Sequence, residues 1–132
     1  MSDLVFVDTC VWAAFFTKAA SAEKKEVDNL LDADRIAIVG PILAEVLIGF
    51  RRADQANWVA SRLKLCHYIE LTWSDWRAAA KLGSALASHG HTLPLTDLIV
   101  AATAKRLAAS VYTTDPHFDL ISDLKRHTVA LP

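Results

Sequence analysis

Short runs of strand-forming residues alternate with longer segments of helical periodicity along this whole chain, and that alternation constrains its fold more than any other feature. Residues 4–7, LVFV, form a continuous apolar run of the kind found in strands buried on both faces. Further strands are expected at 35–39, 66–71, 110–113 and 127–131. Between them, Trp12, Phe15 and Phe16 mark a short helix, and Val27, Leu30 and Leu31 line one face of a helix over 22–33. Gly40-Pro41 opens a helix over 42–50, because a proline in the first turn gives up only an N–H that has no helical partner. Asp54 is expected to cap a helix carrying Trp58, Val59, Leu63 and Leu65. Thr72-Trp73-Ser74-Asp75 fits a capping box for a helix to Ser88, ended by Gly90, and Thr96 is expected to cap the last helix, through Ala109. Together these elements predict an α/β chain: a three-layer α/β/α sandwich with a mostly parallel five-stranded sheet. Ligands of such sheets gather at the carboxyl ends of the strands.

No repeat, low-complexity tract or linker divides the chain, so residues 1–132 are read as a single domain. With 53% hydrophobic residues it can bury a sizeable core. Cys10 and Cys66 match neither a CxxC pair nor a metal-binding spacing, which suits a reducing compartment. The absence of a signal-peptide pattern and of a long apolar run sets the expectation of a cytoplasmic protein with no membrane partner. A net charge of -1 speaks against an overall basic field. Acids nevertheless dominate residues 1–34 and cations residues 51–106, an asymmetry that suits a basic rim around an acidic centre and equally suits solvated helix faces.

Four acids stand where that scheme converges. Asp8 ends the first strand, Glu45 lies in ILAEVLIGF after the second, Asp97 lies in LPLTDLIVAATA before the fourth, and Asp115 follows the fourth in TTDPHF. Glu45 and Asp97 interrupt otherwise apolar runs and are therefore expected to be partly buried. Their helical neighbours three and four residues away include no cation: Pro41, Ile42, Ile48 and Gly49 for Glu45, and Leu93, Pro94, Val100 and Ala101 for Asp97. Taken singly, each acid has an ordinary explanation. Asp8 and Asp115 can cap, Asp97 can answer a helix dipole, and Glu45 can pair at long range with Arg51 or Arg52. Taken together, converging carboxylates repel and protonate unless a cation compensates, and a hard ion such as Mg2+ or Mn2+ does so through oxygen ligands.

VFVDTCVW, PILAEVLIG, LPLTDLIVAATA and VYTTDPHFDLI, in this order over essentially the whole chain, resemble the PIN-domain nucleases and in particular the VapC-type toxins of bacterial toxin-antitoxin pairs. The resemblance implies a PIN-like fold and a Mg2+- or Mn2+-dependent endoribonuclease that cuts transfer or ribosomal RNA, leaving 5'-phosphate and 3'-hydroxyl ends, to inhibit translation. It implies a catalytic quartet of Asp8, Glu45, Asp97 and Asp115. Asp8, Asp97 and Asp115 would be metal ligands, and Glu45 a ligand through water or the base orienting the nucleophile. Thr9 and Thr113 fall in supporting hydroxyl positions, while Cys10 stands where many relatives carry serine. A homodimer and a cognate VapB-type antitoxin are implied as partners. Rival readings are a receiver-like phosphoacceptor module, which needs a second acid after the first strand and a lysine after the last, and a catalytically silent PIN-like binding module. His89 and His91 read as a solvated loop, Asp119 and Glu26 as surface acids, Trp58, Trp73 and Trp76 as packing residues, and Trp12, Phe15 and Phe16 as core or as part of an antitoxin groove.

Overall fold

The computed structural model describes residues 3–129. In chain order it contains β1 (Val5–Val7), α1 (Thr9–Thr17), α2 (Ala22–Asp32), β2 (Ile36–Ile38), α3 (Gly40–Ile48), α4 (Ala53–Leu63), β3 (His67–Tyr68), α5 (Trp73–Ala87), α6 (Leu95–Leu107), β4 (Ser110–Tyr112) and a short 3-10 helix, Pro116–Leu120. The strands form one parallel sheet in the order β3-β2-β1-β4. β1 is thus internal, which is why its run is apolar at every position: Val5, Phe6 and Val7 are all buried. In the β1–β4 register Val7 lies opposite Tyr112. The next residues along, Asp8 and Thr113, therefore emerge side by side at the carboxyl edge.

Among the described residues the sheet has four strands, not five. In β4, Ser110 N–H bonds Leu4 O at 3.1 Å and Tyr112 O accepts from Asp8 N at 3.0 Å, so these groups face β1. Only Val111 offers its backbone to the outer edge, and both of its groups are taken, by Lys125 O and by His127 N, each at 2.9 Å. A three-residue edge strand leaves room for one such pair, and the expected strand at 127–131 reduces to a single parallel bridge between Val111 and Arg126. Residues 130 and 131 of that expected strand lie outside the described residues. Two expected caps also differ. The N-cap position of α4 is Arg52, whose guanidinium grips Asp54 at 2.7 and 3.0 Å, and that of α6 is Pro94, which leaves the Thr96 hydroxyl free for another partner.

The helices divide by contact into two groups. α1 packs on α2 and α3, and α3 on α4, whereas α5 packs on α6, which itself meets β1, β4 and the 3-10 helix. α6 is buried continuously from Asp97 to Ala104, because it is covered by a helix on one side and the sheet on the other. One electrostatic clasp closes the α5–α6 pair. Asp75 is 2% exposed, completes the expected capping box with Thr72, and receives Arg106 Nε at 2.6 Å and Nη2 at 2.9 Å. Burial pushes the Asp75 carboxyl up, but the bonds from Arg106 and Thr72 outweigh it and hold the group below the usual carboxylate range.

Replacing Asp75 by alanine removes a cap and strands the Arg106 guanidinium. Because Arg106 keeps 38% side-chain exposure, the expected loss is about 2–3 kcal/mol in urea denaturation, below the ~3–5 kcal/mol typical of a fully buried pair. The depressed Asp75 pKa makes this contribution present above the unfolded carboxylate range and lost as pH falls through the folded value, so the gap between wild type and variant should close in acid.

Candidate metal centre

Asp8 is delivered by the strand, not by a capping role. It occupies the N-cap position of α1, yet its side chain caps nothing. Its carbonyl starts the helix by accepting from Val11 and Trp12, each at 3.1 Å, while its carboxylate, in a residue 4% exposed, turns to β4. Asp8 Oδ2 accepts from the Thr113 hydroxyl at 2.8 Å and from the Cys10 thiol at 3.5 Å. The same Thr113 oxygen accepts the Asp115 N–H at 2.9 Å, so one hydroxyl sets both the Asp8 carboxylate and the turn that carries Asp115. Cys10 also lies 3.3 Å from the Thr114 hydroxyl, within hydrogen-bonding distance for sulfur.

Asp97 enters from the other side. α6 begins beneath the carboxyl edge and carries Asp97, 7% exposed, into the interior on its first turn. His117 Nδ1 lies 3.2 Å from Asp97 Oδ2 and 3.2 Å from Asp115 Oδ1. Ligand-capable atoms of Asp97, Asp115 and His117 all fall within 4.8 Å of one another. Asp8 stands near enough for its charge to act on Asp97. The Asp97 carboxyl is pushed up to about 6, first by burial and next by the Asp8 charge, with Asp115 adding to the rise and His117 opposing it.

Glu45 differs from expectation. It is exposed, because it projects from the open side of α3, and it meets no cation. Its two oxygens instead accept hydroxyls from Thr9 at 2.7 Å and Thr96 at 3.1 Å. These threonines follow Asp8 and precede Asp97 in the chain, so Glu45 is stitched to both sides of the acidic centre without joining the cluster itself. The resemblance pointed to Thr9 and Thr113; Thr96 and His117 were missed. The signal for His117 was present in TTDPHF: Pro116 starts a single helical turn, Asp115 caps it by accepting His117 N–H at 2.9 Å, and the ring folds back over the acids. Asp119 is turned away to Arg126 at 2.8 Å, and His89 bonds Ala85 O at the end of α5.

Among the described residues no lysine or arginine lies within ion-pair distance of Asp8, Glu45, Asp97 or Asp115. Asp97, Asp115 and His117 form a donor set that fits a divalent cation, with the nearly inaccessible Asp8 close enough to act on Asp97, which resists ionisation. The arrangement is also one that proton binding can relieve. Two further features lie apart from it. Trp12, Phe15, Phe16, Trp58 and Leu65 line a cavity of about 400 Å³ beside Asp28, Asp32 and Asp34, and the buried Trp12 Nε1 that borders it has no hydrogen-bond partner. Glu26, expected on a solvated face, is instead largely buried and binds His127, anchoring the end of the described chain on α2.

A sequence profile described as PIN domain matches residues 5–124. No curated protein matches the sequence. Among solved structures, the VapBC2 complex of Rickettsia felis, bound to a promoter DNA fragment, contains a chain that superposes with a TM-score of 0.80 at 20% identity, covering 94% of this chain and 97% of that one. VapBC-1 of nontypeable Haemophilus influenzae gives 0.78 at 19% identity, covering 94% and 96%. VapC20 of Mycobacterium tuberculosis, a toxin that cleaves the sarcin-ricin loop, gives 0.65 at 16% identity, covering 87% and 92%. At these identities the likeness is one of fold.

The raised Asp97 pKa has a definite sign for stability. The folded state holds its proton more tightly than the unfolded chain, so in EDTA stability should fall as pH rises from about 4 to about 6 and stay lowered above that. At about 1.4 kcal/mol per pH unit the loss approaches ~3 kcal/mol. Asp97→Asn should flatten this dependence and melt at the same temperature as wild type or higher at pH 7, whereas Glu70→Gln, at an exposed site, should change neither. A marked drop in the melting temperature of metal-free Asp97→Asn at pH 7 would show that the carboxylate serves the start of α6 instead.

Proposed function

Because this chain belongs to the PIN-domain family, we propose that it is a metal-dependent endoribonuclease and the toxin of a VapBC-type toxin-antitoxin pair. The observation that carries the reading is the convergence of Asp8, Asp97 and Asp115, with no lysine or arginine to balance them among the described residues, at the carboxyl edge of a parallel sheet. A receiver module would need a second acid beside Asp8, where Thr9 stands, and a lysine after the last strand. The silent PIN-like module lacks any comparable reason to retain four acids, and an activity assay separates it from the nuclease.

In this reading Asp8, Asp97 and Asp115 hold Mg2+ or Mn2+, which when bound lowers the pKa of a coordinated water and stabilises charge on the phosphodiester. The chain's own residues supply the positioning. Thr113 holds Asp8 Oδ2 and so fixes the orientation of a carboxylate that would bind the ion. Thr9 and Thr96 steady Glu45, so that its carboxylate orients the attacking water and takes up its proton. Attack on phosphorus then breaks the bond to the 3' oxygen, leaving 5'-phosphate and 3'-hydroxyl ends. Transfer or ribosomal RNA is the proposed substrate, and arrest of translation in the cytoplasm the consequence. No helix among the described residues is long and apolar enough to cross a membrane.

The proposed partners are a second copy of the chain and a VapB-type antitoxin. Ile48 on α3 and Leu95 at the start of α6, 82% and 60% exposed, are apolar residues that a homodimer would cover. The Trp12 cavity suits an apolar antitoxin segment flanked by basic residues that meet Asp28, Asp32 and Asp34, with a backbone carbonyl answering the Trp12 N–H.

Two outcomes are expected. Purified wild-type protein should cut RNA in Mg2+ or Mn2+ and stop in EDTA, while Asp8→Asn and Asp97→Asn, shown by circular dichroism to be folded, should lose at least about a hundredfold in rate. Full activity of either variant at saturating metal removes that residue from the site. In cells, expression of the chain alone should arrest growth, and co-expression of its antitoxin should restore it. Normal growth despite active, soluble protein would sink the toxin assignment while leaving the nuclease one standing.

A further inference from the structure

Among the described residues, His117 is the one at the acidic centre that brings a side-chain nitrogen. Its Nδ1 stands 3.2 Å from an oxygen of Asp97 and 3.2 Å from an oxygen of Asp115. Two ligands at right angles around an ion with bonds near ~2.1 Å stand about 3 Å apart, so each of these separations suits neighbouring positions of one octahedral sphere. The ring is also held in advance. Pro116 fixes the turn, the His117 N–H is tied to Asp115 Oδ1, and the next residue, Phe118, is 1% exposed in the core. The tautomer with its proton on Nε2 presents the Nδ1 lone pair to the space between the two acids.

We propose, resting on the metal-dependent reading above, that His117 is itself a metal ligand and that its imidazole makes the site select Mn2+ over Mg2+. An all-oxygen site of aspartates discriminates weakly between these ions. Mg2+ is a hard ion that takes oxygen donors and keeps its water, whereas imidazole favours transition ions. Adding one imidazole to the carboxylate ligands therefore shifts the preference in a direction that the acidic quartet alone does not specify. The other histidines with visible partners are engaged elsewhere: His67 with Asp34, His89 with Ala85 and His127 with Glu26.

Pulsed electron paramagnetic resonance of Mn2+ bound to the full chain tests ligation without reference to catalysis. Wild type should show the nitrogen modulation of a coordinated imidazole, and His117→Gln should lose it. In equilibrium competition between Mn2+ and Mg2+, the preference for Mn2+ should fall about tenfold in His117→Gln and further in His117→Asp, which restores an all-oxygen site. Bound Mn2+ without nitrogen modulation in wild type, or an unchanged preference in both variants, overturns the proposal, as does failure of wild type to bind Mn2+ at all. RNA cleavage is scored separately. Nitrogen modulation without cleavage keeps His117 as a ligand and removes the nuclease reading; cleavage without modulation does the reverse.

Discussion

The parallel pairing of β1 with β4 is the constraint on which the acidic centre depends. Its last backbone bond, from Asp8 N–H to Tyr112 O, puts the residue after each strand side by side at the sheet's edge. That placement lets the Thr113 hydroxyl reach Asp8 Oδ2, and through the Asp115 N–H it also positions the following turn. A slip of one residue would direct Asp8 to the opposite face of the sheet and dissolve the arrangement. The run of fully buried residues in β1 makes such a slip costly, because Phe6 and its neighbours would all exchange faces.

A second consequence is electrostatic. α6 is enclosed by α5 and the sheet, so a carboxylate on its first turn is carried out of water together with the helix. The Asp75–Arg106 clasp and the buried face from Leu98 to Ala104 hold α6 in place against the repulsion between Asp97, Asp8 and Asp115. The metal-free fold therefore stores a local cost at the acidic edge that packing at the other end of the same helices offsets. Such a trade between stability and site chemistry is common where charges are concentrated.

Hydroxyls and one thiol do the fine positioning. Thr9 and Thr96 share Glu45, Thr113 serves Asp8 and Asp115, and Cys10 borders Asp8 with a longer, weaker contact than an oxygen donor would make. These neutral donors orient carboxylates without cancelling their charge, which an arginine or lysine in the same places would do.

The alternation of apolar strands with helical segments was enough to read the α/β class, the parallel sheet and the residues at its carboxyl edge, because burial periodicity and helix punctuation are local properties. The capping box at Thr72 and the apolar run of β1 are examples. The four ordered motifs similarly made the family legible. What the sequence left open depended on contacts between distant residues. The fifth strand is reduced to one bridge by the directions of three backbone units in β4, Glu45 proves exposed because of the side of α3 it occupies, and Thr96 turns from a cap into a partner of Glu45. His117 joins Asp97 across twenty positions of sequence only when the turn after Pro116 folds onto the start of α6. Local patterns therefore determined the class of fold and brought Asp8, Asp97 and Asp115 into consideration, and tertiary packing decided which atoms meet, because distances between side chains on different elements follow from how those elements pack.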